Sequence, residues 1–168
     1  MKMQLLRTAT LAGFLFAGAA VAAKSERQNV APCSYFKREI LPGSERHLLE
    51  VSVHGASCRD AELSVRVVHS GETLFSYRTA LADITFRPSD ETEARLVAQQ
   101  AFESTEFSVV DRYPQKGSAF VNPEVLVELE ANDPKVIVYF QDSPMGMSYA
   151  AYNQASGRWV RYLNVELP

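Results

Sequence analysis

The sequence is short of the residues that most catalytic and metal centres use. Its 168 residues hold three histidines, two cysteines and one tryptophan. The histidines are His47, His54 and His69, and none stands at the His-Glu-x-x-His spacing that turns two imidazoles toward one metal. On a regular strand His47 and His54, an odd number of residues apart, face opposite ways. His69 ends a strand beside a turn, where a polar residue is expected on structural grounds alone.

No histidine follows position 69. A hydrolase elbow therefore cannot be completed around Gly146-Met147-Ser148-Tyr149-Ala150, which also departs from Gly-x-Ser-x-Gly at its last position. Ser34-Tyr35-Phe36-Lys37 matches Ser-x-x-Lys, but the Ser-Asp-Asn and Lys-Thr-Gly companions of that chemistry are missing. Glycines occur singly and no Gly-Lys-Ser/Thr exists, which excludes a phosphate-cradling loop. Nowhere do three basic residues follow one another, so the clustered cations that neutralise nucleic-acid phosphates are lacking. One carboxylate pair stands out: Glu128 and Glu130 share a face if their segment is a strand, although a solvated strand face explains them as well. The expectation is of no catalytic residue, no metal ligand and no cofactor.

A long apolar run is also missing. Thr8 to Ala23 is uncharged, but it is shorter than the ~20 apolar residues of a membrane span and its second half is mostly Ala and Gly. What it does have is the order basic, apolar, small: Lys2 and Arg7, then Leu11, Phe14, Leu15 and Phe16, then Gly18 to Ala23. That is the pattern of a cleavable secretory signal over residues 1–23, with cleavage before Ala23 or before Lys24. No cysteine directly follows the small-residue patch, so a lipid anchor is not expected. Processing would remove two of the 17 basic residues and none of the 20 acidic ones, leaving a net charge of −5. The expected location is the periplasm, with release outside the cell as the alternative.

In an oxidising compartment the two cysteines have one intramolecular pairing, Cys33 with Cys58. No Cys-x-x-Cys motif is present, which makes this a staple rather than a redox pair. Closing a loop of this length contributes about 3.5 kcal/mol in the chain-entropy account.

Residues 24–32 are polar and end in Pro32, and read as a leader to one globular domain over residues 33–168. The rest alternates in short apolar strands. Leu49, Val51 and Val53 share a face; Leu63, Val65 and Val67 share another, followed by the hairpin turn Ser70-Gly71. Asp90 and Glu93 form a capping box, and Ala94, Val97, Ala98, Ala101 and Phe102 recur at helical spacing, which predicts a helix from Glu91 to Ser104. The segment from Glu124 to Glu130 alternates as Val125, Val127, Leu129 and reads as a strand. From Lys135 to Gln141 both faces are apolar, as in a central strand. A final hairpin spans Met147 to Asn153 and Arg158 to Leu167. The expected class is α+β: about eight short, mainly antiparallel strands with one amphipathic helix packed on the sheet, or else a small β-barrel with one helix.

The C-terminal third is rich in methionine and aromatic residues, and the Ser143-Pro144-Met145-Gly146-Met147 loop stands beside Tyr149. Such residues either fill the core or mark a contact surface. Met145, Met147 and Tyr149 are therefore the candidate partner-binding residues. Size, export signal, single disulfide and strand content match the class of small envelope inhibitors and immunity proteins, with no motif matched residue by residue. The expected function is a non-enzymatic binding domain for another envelope protein. The alternatives are an envelope assembly or accessory factor and a hydrolase working through carboxylates alone. Thiol titration of the unfolded, unreduced protein should find no free thiol; two would overturn the Cys33–Cys58 pairing.

Overall fold

Alternation of period two organises the first half of the chain. In the computed structural model, which describes residues 31–43, 46–114, 118–121 and 123–166, strands β1 (Cys33–Ile40), β2 (Leu48–Gly55), β3 (Glu62–His69) and β4 (Glu72–Ala80) form an antiparallel meander. The expected signal over 1–23, and all but the end of the leader, lie outside the described residues. Leu49, Val51, Val53, Leu63, Val65 and Val67 are fully buried on one face. The other face is polar: Glu50 accepts Arg38 Nη2 at 2.6 Å and stands 3.6 Å from Arg66. Ser70 and Gly71, both at positive φ, close the β3–β4 hairpin between the paired residues His69 and Glu72. Two successive positive φ values match the right-handed twist of the strands they join.

Cys33 and Cys58 are disulfide-bonded, tying the start of β1 to the β2–β3 connection. Both are buried. Beside them, a Cβ on Gly55 would stand 2.6 Å from the Ala61 backbone, so this close approach requires glycine.

A short helix α1 (Leu81–Ile84) leads to α2 (Glu91–Glu103). Asp90 caps α2 by accepting the Glu93 N–H at 2.8 Å. Glu93 reaches back one residue further than a standard capping box, accepting from the Ser89 backbone N–H at 2.6 Å and from its hydroxyl at 2.7 Å. These bonds, the backbone one foremost, hold the Glu93 carboxyl below its ordinary pKa. Ala94, Ala98 and Ala101 face the core, so the helix lies close to β1 and β2.

The second sheet has the order β5-β7-β8-β9-β6 and is antiparallel throughout: β5 (Glu106–Val110), β6 (Ser118–Val121), β7 (Lys135–Ser143), β8 (Gly146–Asn153) and β9 (Arg158–Glu166). As its two apolar faces imply, β7 is interior, between β5 and β8. Val136, Val138 and Phe140 join the core shared with the first sheet, while Ile137 and Tyr139 pack in a second cluster on the opposite face. The architecture is α+β with two open sheets, not a closed barrel.

One expected strand is a helix. Residues 123–130 form α3, with Pro123 at its first position and Glu124 in its first turn. Proline there has the helical φ already set, and the carboxylate complements the exposed N–H groups. The segment carries both periods. Helical spacing brings Val125, Leu126 and Leu129 onto the second cluster and leaves Val127 75% exposed. The strand reading of Val125, Val127 and Leu129 as one face is therefore corrected, and so is the shared face of Glu128 and Glu130, which a helical turn separates.

Replacing Asp90 with Ala should cost about 1 kcal/mol in chemical denaturation by removing the cap of α2. An unchanged midpoint would show that the cap contributes nothing.

Candidate functional site

The three histidines separate by environment. His54 is exposed on β2. His47, just ahead of β2, is only 4% exposed, and its Nδ1 accepts the indole N–H of Trp159 from β9 at 3.2 Å. Nδ1 thus serves as the acceptor of this bond. The His47 ring lies edge-on to Tyr152 at 4.6 Å and to His69 at 5.3 Å between centroids. The Nδ1 atom of His69 is buried without a hydrogen-bond partner among the described residues. Next to this cluster a cavity of about 400 Å³ opens between the β1–β2 connection, the α3–β7 turn and the β8–β9 turn. Asn132, in the α3–β7 turn, fixes those loops. Its amide donates to the Tyr113 hydroxyl at 3.0 Å and to the Tyr152 carbonyl, and its oxygen accepts the Gln154 backbone N–H at 3.3 Å.

A second depression, about 370 Å³, has different chemistry. Its walls are Thr85 and Phe86 after α1, then Val97, Gln100 and Ser104 of α2, and Gln141, Pro144, Gly146 and Met147 of the β7–β8 hairpin. Most of its polar side chains are engaged within the fold. Gln141 donates to the Ile84 carbonyl at 2.7 Å, Thr85 to the Leu81 carbonyl at 2.6 Å and Ser104 to the Ala101 carbonyl at 3.2 Å. The surface left over is mostly apolar, with the exposed Gln100 among it, and Phe86 is 71% exposed.

The three candidate contact residues do not form one patch. Met147 lines this groove. Met145, at the hairpin turn, is 44% exposed and stands outside the lining. Tyr149 is half-buried on the second cluster, 6.1 Å from Tyr139. Sequence reasoning missed Phe86 and the groove face of Val97. The available signal was a large apolar residue in the loop Thr85-Phe86-Arg87-Pro88, where no periodic pattern asks for one.

Two acidic side chains near these features are bonded within the fold. Asp142 accepts from the buried Ser148 hydroxyl at 2.5 Å and lies 3.9 Å from Arg161. Glu128 accepts from Asn153 at 2.5 Å. Among the described residues, no three of His, Cys, Asp and Glu are placed to hold a metal ion. Tyr139 donates to Glu106 at 2.8 Å; burial first and this bond second push its hydroxyl up to about 12. Burial also raises Tyr162, whose neighbour Tyr113 adds to the effect.

No family model matches the chain, and neither a curated protein nor a solved structure is similar to it.

The tyrosines give a pH prediction. Unfolded tyrosine ionises near 10. A folded value raised above that contributes stability that is fully present below pH ~10 and is lost as the pH climbs through the folded value. A tyrosinate absorbance titration should show a late component, reduced in Tyr139→Phe, together with a melting temperature that falls from pH ~10 upward. Ionisation of all tyrosines in a single step near 10 would refute it.

Proposed function

We propose that this protein is an exported, non-enzymatic binding domain that engages another envelope protein through the groove between α2 and the β7–β8 hairpin. The observation that carries this reading is the exposed Phe86 beside a groove whose polar side chains are largely bonded internally. A largely apolar concavity of this kind gains free energy by receiving an apolar side chain, because Gln141, Thr85 and Ser104 keep their internal hydrogen bonds when it is filled. The occupant is an apolar side chain presented by a folded partner, with the Pro144–Met147 segment as the adaptable wall. Methionine suits that role, since its unbranched thioether side chain refits to irregular surfaces. The basic-apolar-small N-terminal segment supports the periplasm as the meeting place, and the Cys33–Cys58 bond is compatible with an oxidising compartment. An inhibitor or immunity role fits an acidic domain whose sequence carries no recognisable catalytic motif.

The test is comparative capture from a periplasmic extract, using the processed protein as bait. Wild type and Gln154→Ala should retain the same partner, and Phe86→Ala/Met147→Ala should lose it while keeping its circular dichroism and melting temperature. Capture undiminished by the double substitution would remove the groove from the contact. A zymogram on peptidoglycan showing clearing by the purified domain would favour the carboxylate hydrolase instead.

A further inference from the structure

The cavity beside His47 differs from the groove in where its unused polarity lies. Rings are prominent in its lining: Pro42 is exposed, Tyr152 and Pro134 are half-buried, and Trp159 and His47 are nearly fully buried. The Trp159 N–H and His47 Nδ1 satisfy each other, and Asn132 on the same lining is bonded to Tyr113, Tyr152 and Gln154. These buried polar groups are engaged within the fold. The rim does the opposite. Asp133 and Gln154, on the two turns that flank the opening, are exposed, and neither side chain has a partner among the described residues. One carboxylate and one amide, both held on anchored turns, face a cavity with a ring-rich lining.

We infer that this cavity binds a neutral sugar ring. A pyranose has the matching division: a face of C–H groups to lie against aromatic and proline rings, and an edge of hydroxyls. A carboxylate can accept from two neighbouring hydroxyls, and an amide both donates and accepts. The volume lies in the range of small-ligand sites.

Other ligand classes fit less well. An anion would meet Asp133 with no lysine or arginine on the lining to offset it. For a metal ion, no three ligating side chains are placed together among the described residues. A quaternary ammonium needs rings spaced to surround it. Here His47, Tyr152 and Trp159 touch one another, with centroids 4.6 to 6.1 Å apart, which leaves no space between the rings for a cation. An acyl chain would leave the Asp133 and Gln154 rim without a polar counterpart.

Trp159 is the sole tryptophan of the chain, so its emission reports on this cavity alone. The experiment titrates the processed protein with glucose, galactose, N-acetylglucosamine and the β-linked N-acetylglucosamine disaccharide. Tetramethylammonium and inorganic phosphate are run in parallel. A saturable change in emission is expected with at least one saccharide and with neither ion. Asp133→Asn and Gln154→Ala should each weaken that saccharide about tenfold, the loss expected for one hydrogen bond to a charged or well-placed group, with unchanged circular dichroism. Phe86→Ala should bind the saccharide as wild type does, which separates this site from the groove. No saturable response to any saccharide would overturn the inference. A response to either ion in place of a sugar, or saccharide binding indifferent to both rim substitutions, would do the same.

Discussion

Phe140 stands where the two sheets meet, and the rest of the structure depends on the seam it closes. It is fully buried on β7, with its ring 4.5 Å from Tyr77 and 5.9 Å from Phe75 of β4. Around it, the valines of β2 and β3 meet Val136 and Val138 of β7, and the alanines of α2 complete the same cluster. Neither sheet could bury its inner face alone. A four-stranded meander with one polar face needs a cover, and the second sheet together with α2 supplies it. The second sheet needs a further cover for its own outer face, which α3 provides through Leu129.

The seam also decides where polar groups end up. At one end Asp142, Ser148 and Arg161 form a bonded set. At the other, His47 and Trp159 join residues 112 positions apart in one buried hydrogen bond. In both places buried polar groups pair with one another, as a low-dielectric interior favours, although His69 Nδ1 and Asp142 Oδ1 have no hydrogen-bond partner among the described residues. The two depressions then differ by what their edges retain. Beside Phe86 most polar side chains turn inward to carbonyls of α1 and α2 and leave a mostly apolar groove. Beside Trp159 the aromatic wall is internally satisfied, and Asp133 and Gln154 remain turned to solvent. The two proposed contacts, an apolar protein side chain and a polyhydroxylated ring, follow from that difference.

Much of the fold was legible in the residues. The strand from Glu62 to His69, its Ser70-Gly71 turn, the Asp90 cap and the alanine face of α2 all rest on local rules of period, turn geometry and capping, and those rules act over a few residues. The segment of α3 was misread because Val125, Leu126, Val127 and Leu129 satisfy two periods at once, and the choice is made by the face of β8 that the helix covers. Of the candidate contact residues, the density of methionine and tyrosine was visible. That Met147 lines a groove while Tyr149 packs on a cluster was not, because the groove's other walls come from Phe86 and Val97, far away in sequence.

The sequence by itself determined the class of the fold, the pairing open to Cys33 and Cys58, the acidic balance and the export-like N-terminal pattern. Each of these follows from composition or from spacing within a single element. Tertiary structure alone decided which histidine is buried, what it bonds, and which loop residues share a cavity. Those are meetings between β1–β2, α3–β7 and β8–β9 connections, and residues brought together across sheets leave no periodic trace along the chain that each of them occupies.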